Sequence, residues 1–236
     1  MKRIILACCC CIFYLSARSQ TITTVHRAPL DTDIVAYDEQ GKEMRYYQYI
    51  KLLNTGQYKL ISKGAPGTKA VSYIVKVNPQ ENARLYALIK ERTAIKSPKL
   101  REDSTLDIKP LLGKVKKSEL DNKVIVLVFW DTNCPPCTDS FSDINDFFDQ
   151  LPNKDNVVLI AITPDDESLV KDKLKQKPLK YARFENDAMG TISTYQIENY
   201  PAYVVTDKKH VIRYATSGSS PLTMTMLKNS INEVLK

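Results

Sequence analysis

Cys134 and Cys137 are the residues of this sequence best placed to do chemistry. With Pro135 and Pro136 between them they form a C-x-x-C pair. On the first turn of a helix that spacing brings two sulfurs within disulfide reach, and the helix dipole stabilises a thiolate on the first of them. Such surroundings lower a thiol pKa from about 8.5 into the range of roughly 3.5 to 7.5, which makes Cys134 the reactive sulfur. Neither proline carries a backbone N–H, and proline is tolerated in the first helical turn, where those donors lack partners anyway. The missing donors leave the thiolate less stabilised than free amides would, so the pair is expected to be reducing rather than strongly oxidising.

The other four cysteines, Cys8 to Cys11, lie in an N-terminus that reads as a secretory signal. Lys2 and Arg3 form a positive start, Ile4 to Leu15 an apolar stretch, and Ser16-Ala17-Arg18-Ser19 a small-residue cleavage site. The stretch is too short to span a membrane. A cut after Ser19 leaves Cys134 and Cys137 as the cysteines of the mature chain. A less favoured reading takes Ile5-Leu6-Ala7-Cys8 as a lipobox with Cys8 lipidated, but it leaves almost no apolar region before the cut. The same cut removes Lys2, Arg3 and Arg18 and lowers the formal charge from +7 to +4. Basic and acidic residues are interspersed along the chain, so a solvated surface explains the charge better than a nucleic-acid stripe.

Competing uses of the cysteine pair are weak. A structural disulfide across two residues closes a tiny loop and stabilises little on the chain-entropy account. A zinc site lacks ligands: no second C-x-x-C exists, and His26 and His210 are isolated. No metal is expected.

The elements that must position the pair can be read from periodicity. Val124 to Phe129 is a continuous apolar run of strand length, as in a central strand buried on both faces. It leads through Trp130, Asp131, Thr132 and Asn133 to the cysteines, after which Phe141, Ile144, Phe148 and Leu151 recur at helical spacing up to Pro152. Val157 to Ile162 reads as a second buried strand, and Thr163-Pro164-Asp165-Asp166 as the cap of a helix with Leu169, Val170 and Leu174 facing inward. Ala202–Thr206 and Val211–Ala215 flank a short hairpin connection, and a helix from Pro221 to about Leu235 closes the chain. The order predicts an α/β domain over 106–236, a central mixed sheet with an antiparallel edge, flanked by helices.

Upstream, 33–92 reads as a small α/β accessory module. It comprises a strand at Ile34–Tyr37, a helix through Met44, Tyr47, Ile50 and Leu53 stopped at Gly56, strands at Tyr58–Ile61 and Ala70–Val77 around Gly64-Ala65-Pro66-Gly67, and a helix opened by Asn78 and Pro79 with Leu85, Leu88 and Ile89 on one face. It holds no catalytic spacing and serves either docking or packing. Residues 93–105 read as a charged linker.

The run Val128-Phe129-Trp130-Asp131-Thr132-Asn133-Cys134-Pro135-Pro136-Cys137 resembles the active-site segment of the thioredoxin superfamily, in particular its exported TlpA/ResA/CcmG-like thiol-disulfide oxidoreductases. Leu112-Gly113-Lys114 and Leu120-Asp121-Asn122-Lys123 resemble the hairpin and loop before the core strand of that subgroup. Tyr200-Pro201 stands before a strand where the family has its cis-proline, and Gly218 in the loop before the last helix. The resemblance covers 106–236 and implies a thioredoxin-like fold. It implies that Cys134 attacks a substrate disulfide, that Cys137 resolves the mixed disulfide, and that Pro201 shapes a substrate groove to which Tyr200, Asn133 and Trp130 contribute. Pro135 and Pro136 would tune the loop.

The sequence also departs from the family. Asn133 stands where most relatives have Trp, Val128 where cytoplasmic thioredoxins bury an acid, and Ser140 where several ResA-like proteins have a glutamate; Asp131 and Asp139 are nearby carboxylates. No bound cofactor is implied. The expected partners are exported proteins with disulfides, apocytochromes of cytochrome c biogenesis among them, and a membrane thiol reductase as electron donor, in the periplasm or cell envelope. Two alternatives remain. The chain could be a docking module with a weakly active thioredoxin-like domain, or a peroxiredoxin-like peroxidase. The peroxidase would need Thr or Ser three residues before the attacking cysteine, where Asp131 stands.

Overall fold

A computed structural model describes residues 35–53, 57–64, 70–220 and 222–236. The expected signal segment, His26, Gly56 and Pro221 lie outside them. The hydrophobic run Val124–Phe129 forms β5, and all six of its residues are buried. Alternate side chains serve opposite faces, as the two-residue period of a strand requires. Val124, Val126 and Val128 join one core cluster; Ile125, Leu127 and Phe129 join the other.

Around β5 the sheet is built from β6 (Val157–Ile162), β7 (Ala182–Glu185), β8 (Ala202–Thr206) and β9 (Ile212–Ser217), in the order β7-β6-β5-β8-β9. β6 pairs parallel with both β5 and β7, while β8 pairs antiparallel with β5 and β9. Helix α4 (Pro135–Gln150) lays Phe141, Ile144 and Phe148 on one face, where α7 (Thr223–Leu235) adds Met226, Leu227 and Ile231. The other face is covered by a 3-10 turn at Lys109–Gly113, by α3 (Lys117–Leu120) and by α6 (Met189–Thr194). A central mixed sheet flanked by helices is thus present, and it is thioredoxin-like.

Several details differ from the expectation. β7 and α6 were not foreseen. The hairpin expected near Leu112 is instead the 3-10 turn followed by α3. In α5 (Glu167–Gln176) Asp166 caps the helix by accepting the Leu169 amide at 2.9 Å, but Leu169 itself is exposed and Val170 is the buried residue.

The N-terminal module has a second sheet of order β2-β1-β4-β3, from β1 (Ala36–Tyr37), β2 (Glu43–Met44), β3 (Tyr58–Lys63) and β4 (Val71–Lys76). Met44, expected in the helix, lies in β2, and α1 spans Tyr46–Leu53. Ala36, Tyr49 and Ile74 form its small core. Helix α2 (Pro79–Thr93) starts at Asn78, whose side chain accepts the Gln80 amide at 2.9 Å. Its inward face is Tyr86 and Ile89, which pack on the core of the large domain, whereas Leu85 and Leu88 are exposed.

The stretch 93–105 is not a free linker. Ala94 pairs with Thr216 and Thr105 with Val211, both antiparallel, so the segment runs along the outer edge of β9. Leu100 is fully buried, and Arg213 of β9 binds Asp103 at 2.9 Å. The segment therefore covers an edge that would otherwise offer unpaired backbone groups to another chain.

Candidate active site

β5 ends at Phe129, and α4 begins at Pro135 with Cys134 as its N-cap residue. Between them the chain must turn sharply, and short-range polar bonds set the turn. The Asp131 carboxylate accepts the Asn133 amide at 2.7 Å, and the Asp131 carbonyl accepts the Cys134 amide at 3.3 Å. Trp130 donates its backbone N–H to Ile162 of β6 at 3.0 Å, which holds the start of the loop on the sheet.

Cys134 and Cys137 are joined in a disulfide with their Cα atoms 5.3 Å apart. Cys137 is completely buried beside Phe141 in the core, while Cys134 is half-buried. The Cys137 amide donates to Cys134 Sγ at 3.2 Å. Pro135 and Pro136, both exposed, cannot donate to that sulfur, so Cys137 supplies the first available N–H of the helix.

Tyr200-Pro201 is a cis peptide. Register places it at the cysteines: Ala202 opposes Phe129, so the residues just before β8 lie at the same end of the sheet as those just after β5. Pro201 is buried, and its carbonyl accepts the Gly218 amide at 2.7 Å. Gly218 has φ +82°, a backbone conformation that suits glycine. Tyr200 is half-buried; burial raises its hydroxyl pKa, and the nearby Asp131 and Asp165 carboxylates raise it further. Asn133 is exposed beside the pair, without an aromatic shelf.

Trp130 does not line a groove. Its ring is fully buried, edge-on to Phe141 at 5.1 Å and Phe184 at 6.5 Å. Of the two helix-end carboxylates, Asp139 pairs with Lys177 at 2.5 Å, and Asp131 is occupied by the Asn133 amide.

Behind Cys137 there is a polar chain in place of an acid. Val128 is buried in the core, and the Ser140 hydroxyl donates to the Cys137 carbonyl at 2.6 Å while accepting from Tyr203 at 2.9 Å. Burial pushes the Tyr203 hydroxyl well above its ordinary pKa despite the bond to Ser140. His210 is remote from this site: it occupies the β8–β9 turn, with Nε2 2.9 Å from the Leu120 carbonyl.

Sequence reading missed Asp165. One carboxylate oxygen of this residue accepts the Thr132 amide at 2.6 Å and lies 3.3 Å from the Thr163 hydroxyl. Its carbonyl accepts the Asp187 amide at 2.9 Å. Asp165 thereby ties together the loops that follow β5, β6 and β7. The signal was the doublet Asp165-Asp166, of which only the second residue is needed to cap α5.

A half-buried cysteine at a helix N-terminus, a disulfide-bonded buried partner one turn on and a cis-proline across the sheet end are the working parts of a thiol-disulfide oxidoreductase. The chain is similar to several known proteins. Residues 102–215 match the AhpC/TSA family. The chain is 27% identical over 130 residues to the thiol-disulfide oxidoreductase YkuV of Bacillus subtilis, covering 53% of this chain and 86% of that protein. It is 30% identical over 96 residues to the thiol-disulfide oxidoreductase ResA of Bacillus cereus, covering 40% of this chain. The match spans only 55% of the length of that ResA. Among solved structures, the DsbE-type thiol:disulfide interchange protein of Chlorobium tepidum superposes with a TM-score of 0.47 at 23% identity, covering 52% of this chain and 86% of that one. StoA of Bacillus subtilis does so with a TM-score of 0.41 at 24% identity, covering 47% and 84%.

Proposed function

We propose that this protein is an exported protein-disulfide reductase. In its reduced form the Cys134 thiolate attacks one sulfur of a substrate disulfide. A mixed disulfide forms and the other substrate sulfur leaves as a thiolate that takes a proton. Cys137 then loses its proton and attacks Cys134 Sγ, which releases the second substrate thiol and leaves the Cys134–Cys137 disulfide. Two electrons pass from the dithiol to the substrate, and a dithiol donor must return them. The substrates are exported proteins with disulfides, apocytochromes among them, and the donor is a membrane thiol reductase, since an oxidising compartment holds no glutathione pool for the purpose.

The observation that carries the roles is the asymmetry of burial: the half-buried Cys134 is open to a partner and the fully buried Cys137 is not. The observation that favours reduction is the poverty of donors at Cys134, where two prolines stand in the helix turn. Less stabilised thiolates give up their electrons more readily. Export is supported by the signal-like pattern ending at Ser19.

Equilibration of the full chain with a thiol buffer tests the direction. A potential near the thioredoxin value of about −270 mV supports the reductase, and one near about −120 mV makes it an oxidant. Cys137→Ser should freeze substrates on Cys134 as mixed disulfides, and their identification tests the partner reading. A peroxidase is disfavoured by Asp131, whose side chain is engaged with the Asn133 amide at 2.7 Å where a hydroxyl would be needed.

A further inference from the structure

The loop that carries Pro201 is gripped from outside the large domain's own elements. It begins at Tyr195, just after α6, and reverses at Gln196, whose φ is +55°. The backbone there is held by Gln196 N–H to the Ser193 carbonyl at 3.1 Å and Ile197 N–H to Ile192 at 3.1 Å. A third bond comes from a residue far away in sequence: the Ser97 hydroxyl, 4% exposed, donates to the Tyr195 carbonyl at 2.6 Å. The Ser97 hydroxyl oxygen in turn accepts the Lys99 amide at 3.1 Å, which fixes its direction.

Tyr195 is itself a post between three parts of the molecule. Its ring is 1% exposed and meets Phe129, the last residue of β5, edge-on at 5.9 Å. Its hydroxyl donates to the Asp107 carbonyl at 2.6 Å. The segment that follows α2 therefore binds the Tyr195 backbone, and Asp107 just beyond it binds the side chain. On the far side of the Pro201 loop the same segment holds β9: the Thr216 hydroxyl, 1% exposed in residue terms, donates to the Thr93 carbonyl at 2.9 Å, and Ala94 pairs with Thr216. Ser217 opposes Ala202, and Gly218 binds Pro201, so this second anchor also lies at the cis-proline. Between the two anchors is a small cleft lined in part by Ile95, Lys96, Ser97, Gln196, Glu198 and Asn199.

We propose that Ser97 and Thr216 are positioning residues for the Pro201 loop, so that the connection from the N-terminal module sets how well a protein substrate fits beside Cys134. The segment then belongs to substrate recognition and is more than a tether. The inference rests on the reading of the Pro201 loop as the place where a substrate chain lies. A small disulfide that reaches Cys134 without touching the loop depends on the clamp far less than a polypeptide does.

The test uses the full chain with dithiothreitol as electron source and compares kcat/KM for insulin with that for oxidised glutathione. Ser97→Ala removes one anchor. Thr216→Val removes the other with little change of volume and serves if the first variant folds poorly. Loss of one buried hydrogen bond is expected to lower the insulin-to-glutathione ratio about tenfold in each variant, with the change carried by KM for insulin. An equal fall for both substrates marks a merely structural role and overturns the proposal, as does an unchanged ratio. If the unmodified protein turns over neither substrate, the oxidoreductase reading falls first and the clamp with it.

Discussion

The backbone amide of Thr132 donates to a carboxylate oxygen of Asp165 at 2.6 Å, across 33 residues of sequence. This bond closes the loop that delivers Cys134 to the helix N-terminus, and the Asp187 amide on the Asp165 carbonyl extends the tie to a third loop. Hydrogen bonds to a charged acceptor are worth about 1.5–3 kcal/mol. Asp165→Ala is therefore expected to lower Tm by several degrees, at about 2–4 °C per kcal/mol for a chain of this size. Insulin reduction should slow more than stability loss alone predicts, because Cys134 is no longer held. Thermal melts and turnover on the same preparation check both.

Pro136 denies Cys134 a backbone donor. Pro136→Ala restores an N–H in the first turn of α4 without altering the helix register, and that amide stabilises the thiolate of the reduced form. The reduction potential is expected to rise, toward a more oxidising pair, by about 30 mV for a bond of roughly 1.4 kcal/mol. The Cys134 pKa should fall in step, read from the thiolate absorbance of the reduced protein. A potential that stays put or falls would show that the prolines do not set the donor count.

Three buried tyrosines make the fold sensitive to alkali. Burial pushes Tyr195 and Tyr203 well above the ordinary tyrosine range, and pushes Tyr214 up to about 12. In the unfolded chain these groups ionise near about 10. Because the folded values are the higher ones, their contribution to stability is complete below about pH 10 and is lost as pH rises above it. Spectroscopic titration should show these tyrosines ionising together with unfolding, and Tyr203→Phe should flatten the alkaline fall in Tm.

How far these features could be read from sequence depended on where each residue finds its partners. Val124–Phe129 was legible because a strand buried on both faces is apolar throughout, and the helix after it because Phe141, Ile144 and Phe148 repeat at helical spacing. β7 escaped because it is a four-residue edge strand with Arg183 facing outward, where it pairs with Glu119. The segment 93–105 looked like a linker because its charged residues hide contacts made more than a hundred residues away, as between Asp103 and Arg213. Asp165 and Ser97 were invisible because their partners, Thr132 and Tyr195, lie 33 and 98 residues away in sequence. Trp130 was misplaced because proximity to a cysteine in sequence does not decide which way a side chain points. The cysteine pair and Pro201, by contrast, announce themselves by spacing and by resemblance.

Insulin-disulfide reduction by the full chain, measured beside Cys134→Ser and Cys137→Ser, tests the central claim most directly. Turnover by the unmodified protein is expected, with none in Cys134→Ser and a mixed disulfide accumulating on Cys134 in Cys137→Ser. An unmodified protein whose Cys134 and Cys137 thiols are shown to be free, yet which reduces no insulin, would contradict it.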